Sequence, residues 1–386
     1  MKQRSLGSCI DNLSALGFGC MRFPEKEGRI DREESSRMLD LAYERGVNYL
    51  DTAWPYHDGE SEEFLGEYLE SRGIRNSIYL ASKMPCWMVK ERKDFDYYLN
   101  AQLKRLKTDR IDFYLLHALD GKRWRQMLEL DVLGWLEEKR DEGKIRFLGF
   151  SFHDEYPAFE TILADYQWDF CQIQYNYMNT AYQAGRAGML AAAERGIGVI
   201  VMEPLLGGRL VEPPAAVQAV WDSADRKRSP ADWALQWLWD QPEVGVVLSG
   251  MSSLVQVEEN IESASRSGSD SLTAAEKKLY DRVEEIYGGL TQIPCTDCKY
   301  CLPCPEGVNI PRNFSVVNSG FVYDNTAWPL REYGFFRSEE RASACVQCGI
   351  CVEKCPQGIP ISAIMPEVDE VLSGNRPFGD FVYPAT

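Results

Sequence analysis

Residues 111–117 read "IDFYLLH", an apolar run closed by a histidine. A run this short, bounded by polar residues, fits a strand covered on both faces better than a helix. Its neighbours repeat the pattern. "IYLASK" (78–83) ends in Lys83, and "NYLDTA" (48–53) carries Asp51 near its end. Further outward lie "LGFGC" (16–20), "RFLGFSF" (146–152), "DFCQIQYN" (169–176), "GVIVME" (198–203) and "VGVVLSG" (244–250). Helix-length segments separate them. Met38, Leu39, Ala42 and Tyr43 in one segment, and Leu99, Leu103 and Leu106 in another, show the three-and-four spacing of an amphipathic helix. Eight strands with seven helical segments between them predict an α/β fold, a (β/α)8 TIM barrel over residues 1–265. No GxGxxG follows the first run, which counts against an open dinucleotide-binding sheet.

The formal net charge is -17. Gripping nucleic-acid phosphates takes clusters of Lys and Arg, and none is evident, so nucleic acid is not an expected partner. No apolar run reaches the ~18 residues of a membrane span, and the first residues lack the apolar core of a secretory signal. A cytoplasmic protein without a membrane partner is expected. Eight of the twelve cysteines fall between residues 295 and 355 at metal-ligand spacing, unlike a disulfide framework.

Catalytic residues of such barrels sit at the C-terminal ends of strands. Asp51, Lys83 and His117 end the second, third and fourth strands, and Tyr56 lies in the loop after the second. A Tyr, a Lys, an Asp and a His at one barrel mouth make a general-acid site. Reducing a carbonyl by hydride requires a proton for the developing alkoxide. A free tyrosine, pKa about 10, is a weak acid at neutral pH. A neighbouring ammonium is expected to lower that pKa. Asp51 can pair with Lys83, and His117 can orient the carbonyl oxygen. Alone, each could simply close a polar cap on the barrel.

The segments "LGFGCMRFP", "LDTAWPYHDGESEEFLGEYL", "LASKMP", "IDFYLLH", "GKIRFLGFSFH", "CQIQYNYMN" and "LSGMSSLVQVEEN" resemble the aldo-keto reductase family, in family order. The resemblance implies Tyr56 as proton donor, Lys83 and Asp51 as its tuning pair, and His117 as orienter. It also implies a small-molecule carbonyl substrate and a nicotinamide cofactor. By the same match Ser151 and Gln172 would hold the carboxamide. Gly207, Gly208, Gly250, Ser252 and Ser253 would approach the phosphates, and Gln256, Glu259 and Asn260 would face the adenosine. Phe152 stands where many members have Asn, and Met202 where an aromatic often stacks on the nicotinamide. Gly250 and Gln256 replace basic residues that commonly grip the 2′-phosphate, while "GMSS" still offers hydroxyls and backbone donors. NADP(H) is favoured, with NAD(H) and flavin left open.

Of the remaining histidines, His57 and His153 read either as pocket-lining or as surface residues. Trp54 and Trp87 read as pocket walls or as ordinary packing. Cys9, Cys20, Cys86 and Cys171 read as small buried fillers.

After a Ser/Gly-rich connection, 273–290 read as a helix begun by Thr273, within a connecting segment over 266–290. The region 291–386 carries "CTDCKYCLPCP" (295–305) and "CVQCGICVEKCP" (345–356). The second has the spacing of the bacterial ferredoxin run, whose fourth Cys, followed by Pro, ligates the other cluster of a pair. Two [4Fe-4S] clusters follow: Cys295, Cys298 and Cys301 with Cys355, and Cys345, Cys348 and Cys351 with Cys304. Zinc fits by count, but its modules rarely use four-cysteine runs closed by Cys-Pro. The long insert between the motifs resembles a small, mainly helical ferredoxin-like domain, as in the aldo-keto reductase branch with a C-terminal iron–sulfur domain.

Two functions are in view. One is an NAD(P)H-dependent carbonyl reductase whose clusters are structural or pass electrons to a redox partner. The other is a non-catalytic nucleotide-binding and electron-transfer subunit of a larger redox complex.

Overall fold

The eight apolar runs become eight parallel strands that close on themselves. A computed structural model describes residues 1–383 of the protein. The barrel strands are β1 (Leu16–Gly19), β2 (Tyr49–Asp51), β3 (Tyr79–Met84), β4 (Ile111–Leu119), β5 (Ile145–Phe152), β6 (Phe170–Gln174), β7 (Gly198–Met202) and β8 (Val244–Ser249). Each pairs with the next in order, and β8 returns to β1 through Val247↔Leu16 and Ser249↔Phe18.

Strand side chains alternate in direction, so each strand contributes to two cores. Tyr49, Ala81, Phe113, Phe170, Ile200 and Val246 fill one of them, inside the barrel. The other set packs against the surrounding helices, among them α1 (Arg32–Glu44), α2 (Glu60–Arg72) and α3 (Lys93–Arg105). The interior is tight: a methyl group added at Gly149 would lie 2.5 Å from the Phe170 ring. The spacing-based helices form as expected, with Met38, Leu39 and Ala42 buried on α1 and Leu99 on α3.

Three features were not legible in the strand pattern. An antiparallel hairpin, Gln3–Leu6 with Ile10–Ser14, precedes the barrel. Its Leu6 and Leu13 are fully buried in the inner core, and Ser8 N–H donates to Gly196 O at 2.9 Å. The hairpin thereby plugs the end where the strands begin and leaves the opposite mouth for chemistry. A second, two-residue hairpin joins Glu25–Lys26 to Arg29–Ile30. The stretch after β4 also has regular structure. Asp120 Oδ1 accepts from Arg123 N–H at 2.7 Å and caps a helix over Gly121–Glu129.

The chain divides into two compact units. One comprises 1–208 and 231–273, and the other 209–230 and 274–386. The second unit is helical. Ala274–Gly289, Ile310–Val322, Ala327–Gly334 and Ile361–Leu372 are its longer C-terminal helices. Its core gathers Phe314, Val317, Ile364, Met365 and Val368, with six of the motif cysteines packed partly buried against it. The 40-residue insert supplies two of these helices, so it builds the core rather than looping out. Among the described residues no helix is long and apolar enough to cross a membrane.

Candidate functional site

At the open mouth, β2 and β3 run parallel with Asp51 opposite Ala81, and Lys83 follows two residues later on the same face. Lys83 Nζ donates to Asp51 Oδ1 at 2.6 Å, to Thr52 O at 2.9 Å and to Tyr56 Oη at 3.2 Å. The ammonium also lies 4.8 Å from the Tyr56 ring centroid. The His117 ring stands edge-on to Tyr56, centroids 6.1 Å apart. Its Nδ1 is buried without a partner. The four residues named from the sequence thus converge at one site.

Their electrostatics depart from expectation at one point. Burial raises the Tyr56 pKa above its ordinary value of 10, and the opposing pull of Lys83 does not overcome it. The expectation of a net lowering considered the cation and left out desolvation of the buried phenolate. Burial also works against the Lys83 ammonium, but Asp51 and Tyr56 outweigh it and the pKa rises. Lys83 therefore stays charged. His117 is pushed well below the usual imidazole range, first by burial and then by Lys83, so it stands neutral at pH 7.

The positioning of Tyr56 depends on its loop. His57, Asp58 and Gly59 all have positive φ, at 50°, 54° and 93°. His57 Nε2 accepts from Phe23 N–H at 3.2 Å, so its Nδ1 carries the proton donated to Glu25 Oε1 at 2.9 Å. Only 7% of the His57 side chain is exposed. It neither lines the pocket nor floats in solvent; it staples the loop to the segment after β1. Trp54 is packing: Arg105 stacks on it at 3.6 Å and Tyr98 meets it edge-on. Trp87 is 43% exposed with its ring 5.1 Å from His117, beside the mouth. His153 is exposed. Burial pushes the thiols of Cys9 and Cys86 up to about 12 and raises that of Cys20 well above its ordinary value; Cys20, Cys86 and Cys171 are buried fillers, while Cys9 is half-buried.

Behind the tetrad lies a network the sequence did not disclose. Glu62, on α2, is fully buried. It accepts from Ser82 Oγ at 2.6 Å, Gln102 Nε2 at 2.7 Å and Arg105 Nη1 at 3.1 Å. Gln102 Nε2 also donates to Lys83 O at 3.0 Å, tying the network to the backbone that carries Lys83.

The residues matched to a nicotinamide divide into two groups. Ser151 and Gln172 pair in register across β5 and β6, and both are buried. Ser151 Oγ accepts from Ala118 N–H at 2.8 Å, which leaves its own proton to donate, and Gln172 Oε1 has no partner. Gly207 and Gly208 have φ of 70° and 97°, and a methyl group at Gly208 would meet nothing within 4 Å. An orphaned buried amide and an open glycine cradle fit a dinucleotide. The second group is less available. Gln256 Oε1 is taken by Ser252 N–H at 2.8 Å, and Ser253 caps the helix Leu254–Ser265. Asn260 is buried and donates to Ser249 Oγ at 3.0 Å, while Glu259 is exposed. Phe152 is fully buried against Phe159, and Met202 is half-buried at the end of β7.

In the C-terminal unit, one cavity is lined by Cys295, Cys298, Cys301 and Cys355, with Phe314 and Ile359 among its apolar walls. The fourth thiol comes from the second motif. Cys304 in turn lies within electrostatic range of Cys345 and Cys351. A local repeat, overlooked in the sequence, underlies this exchange: "CPEGVNI" (304–310) and "CPQGIPI" (355–361). Gly307 N–H donates to Cys304 O at 3.0 Å and Gly358 N–H to Cys355 O at 3.1 Å, each followed by a helix at the isoleucine. Upstream, Asp297 and Lys299 take positive φ in the first motif, and Gln347 and Gly349 do so in the second. The backbone therefore curls the same way around both groups of thiols. Sulfurs spread around a cavity suit a cubane, and four irons bridged by sulfide are what such a site would hold.

The aldo/keto reductase family model matches residues 15–280, and a 4Fe-4S dicluster domain model matches 294–359. The chain belongs to the aldo/keto reductase family. As a member it is an NAD(P)-dependent oxidoreductase, with a 4Fe-4S dicluster domain following the barrel. An uncharacterized oxidoreductase of Bacillus subtilis, YqkF, is 27% identical over 68% of this chain and 91% of its own length. L-galactose dehydrogenase of Arabidopsis thaliana is 27% identical over 67% of this chain and 86% of its own. Among solved structures, the holo form of the aldo-keto reductase AKR11C1 from Bacillus halodurans superposes with a TM-score of 0.62. It is 27% identical and covers 73% of this chain and 96% of its own.

Proposed function

We propose that the protein reduces an aldehyde or ketone of a small molecule with NAD(P)H, Tyr56 delivering the proton. The observation that carries this reading is the single ammonium of Lys83 bonded to both Asp51 Oδ1 and Tyr56 Oη. A bound nicotinamide would supply the hydride, and iron–sulfur clusters would take or give single electrons.

Tyr56 holds its proton at neutral pH, as an ordinary phenol does, and burial raises its pKa further. Lys83 stabilises the tyrosinate left when that proton reaches the carbonyl oxygen. Asp51 keeps Lys83 charged and fixes its position. Neutral His117 orients the carbonyl oxygen beside Tyr56. Ser151 and Gln172 would hold the carboxamide of the cofactor. The "GMSS" turn carries Ser252 and Ser253 near the phosphate end, and on that ground we favour NADP(H) over NAD(H), although Ser252 Oγ lies 3.2 Å from Gln256 Oε1 and Ser253 Oγ caps the next helix. We read residues 1–265 as the catalytic domain, 266–290 as a connection, and 291–386 as the cluster domain. The eight cysteines 295, 298, 301, 304, 345, 348, 351 and 355 would hold two clusters, with Cys304 and Cys355 exchanged between motifs.

The deciding experiment is Tyr56→Phe. The variant should bind NADPH as the parent does and lose carbonyl reduction by about 100-fold or more, the usual scale of general-acid catalysis. Undiminished reduction would remove Tyr56 from the proton-donor role. A barrel that binds nucleotide and reduces no carbonyl would favour the electron-transfer subunit instead.

A further inference from the structure

The bond from Lys83 Nζ to Tyr56 Oη is the longest the ammonium makes, 3.2 Å against 2.6 Å to Asp51 Oδ1 and 2.9 Å to Thr52 O. It stands at the far end of the normal range, so a small displacement breaks it. The positions of Thr52, of the Lys83 backbone and of the Tyr56 loop therefore matter. Two consecutive residues in the first turn of α2, Ser61 and Glu62, reach all three.

Ser61 holds one side. Its Oγ donates to Cys20 O at 3.0 Å, which uses its only proton, so Thr52 Oγ1 is the donor in their 2.8 Å contact. Cys20 N–H in turn donates to Asp51 O at 2.8 Å. Ser61 and Thr52 are fully buried. Ser61 thus ties down the residue whose carbonyl accepts from Lys83, and through Cys20 the one whose carboxylate does.

Glu62 holds the other side. Ser82 points out of the barrel to Glu62, while Lys83 points into its mouth. Gln102 Nε2 bonds both Glu62 Oε1 and Lys83 O, and Gln102 Oε1 accepts from Tyr114 Oη at 2.8 Å, so β4 fixes the relay as well. Glu62 Oε2 accepts from Arg105. That guanidinium lies against the loop that carries Tyr56. It stacks on Trp54, and a methyl group added at Gly59 would sit 3.5 Å from Arg105 Nη1. Stability alone does not call for a carboxylate here, since packed apolar residues of like volume often serve a fold as well as a buried ion pair. Hydrogen bonds add fixed directions, which apolar packing lacks.

We propose that Ser61 and Glu62 are positioning residues for proton transfer: from the start of α2 they hold Lys83 Nζ within hydrogen-bond reach of Tyr56 Oη. They act through Thr52, Gln102 and Arg105. The inference rests on the reading that Tyr56 is the proton donor and Lys83 its partner.

The test follows Tyr56 itself, as a ring-fluorinated tyrosine at position 56 of the full chain, by its fluorine resonance against pH. Lys83 favours the tyrosinate, Asp51 and Cys20 oppose it, and His117 is neutral. Ser61→Ala and Gln102→Met change no charge, and each loosens one side of the clamp. Each should weaken the acid at position 56 by about threefold or more. Gln236→Met removes an equally buried amide from another helix, Pro230–Trp239, and should lower stability while leaving the titration in place. Lys83→Met with Asp51→Asn removes the ion pair and should weaken the acid too, because Lys83 outweighs Asp51. Parent-like titration in Ser61→Ala and Gln102→Met overturns the proposal and leaves Tyr56 its role, the pair then serving the fold alone. An equal shift in Gln236→Met also overturns it, since any loosening of the barrel would then suffice. An unchanged titration without the ion pair shows that Lys83 does not act on Tyr56, and the underlying reading falls with the proposal.

Discussion

Lys83 Nζ sits 2.6 Å from Asp51 Oδ1, with side chains 2% and 3% exposed. Two charges buried to this degree depend on each other: removing one strands the other in a medium that solvates it poorly. Asp51→Ala should therefore cost about 3–5 kcal/mol of stability by denaturant titration. Adding Lys83→Met should recover part of that loss. A double variant less stable than the sum of the singles would mean that the pair is not coupled in this way.

Tyr56 is held above a pKa of 10 by burial, against the pull of Lys83. The proton donor stays loaded until the pH passes that value. A kcat profile for carbonyl reduction should therefore show no alkaline decline from Tyr56 below about pH 10. A limb centred near pH 8, absent in Tyr56→Phe, would show that the ammonium outweighs burial in the working enzyme.

His117 is kept neutral in the folded protein well below the usual imidazole range. In the unfolded chain it takes up a proton near pH 6.5. Below that pH the unfolded state binds the extra proton, so stability falls as pH drops. Between pH 7 and 5.5 this one group should account for about 1 kcal/mol. Unfolding free energies of the parent and of His117→Asn check it, since the variant should lose that much less across the same interval.

Glu62 accepts three side-chain hydrogen bonds at full burial, one of them from Arg105. Glu62→Ala leaves Arg105, 24% exposed, without this acceptor, while Gln102 keeps Ser82 Oγ and Lys83 O. A stability loss of about 3 kcal/mol is expected, at the lower end for a broken buried pair because Arg105 reaches solvent. Urea unfolding measures it. Glu62→Gln, which keeps an acceptor oxygen, should lose less.

The cavity that joins Cys355 to Cys295, Cys298 and Cys301 sets a pattern for single cysteine variants. In anaerobically purified, dithionite-reduced protein, Cys355→Ala should perturb the same paramagnetic resonance signal as Cys301→Ala. Cys304→Ala should perturb the one affected by Cys351→Ala. Pairing of each fourth cysteine with its own motif would reverse that grouping.

Much of this was legible along the chain. Strand periodicity located all eight barrel strands because each is a short apolar run between turn residues. Position at strand ends singled out Asp51, Lys83 and His117, since a parallel barrel brings every strand's C-terminal end to one mouth. The floor hairpin escaped because Leu6 and Leu13 are isolated apolar residues in polar surroundings, buried only once the barrel exists to receive them. His57 escaped for a related reason. Its partners, Phe23 and Glu25, lie over 30 residues away, and nothing local announces the pairing.

The sequence by itself determined the order of elements, the tetrad and the two cysteine motifs, because these depend on residue type and short-range spacing. Tertiary structure alone decided the balance of charge around them. Whether Lys83 or burial governs Tyr56, and which partners Glu62 holds, depend on distances between residues far apart in the chain. Desolvation and hydrogen bonding act through space, and closing the barrel sets those distances.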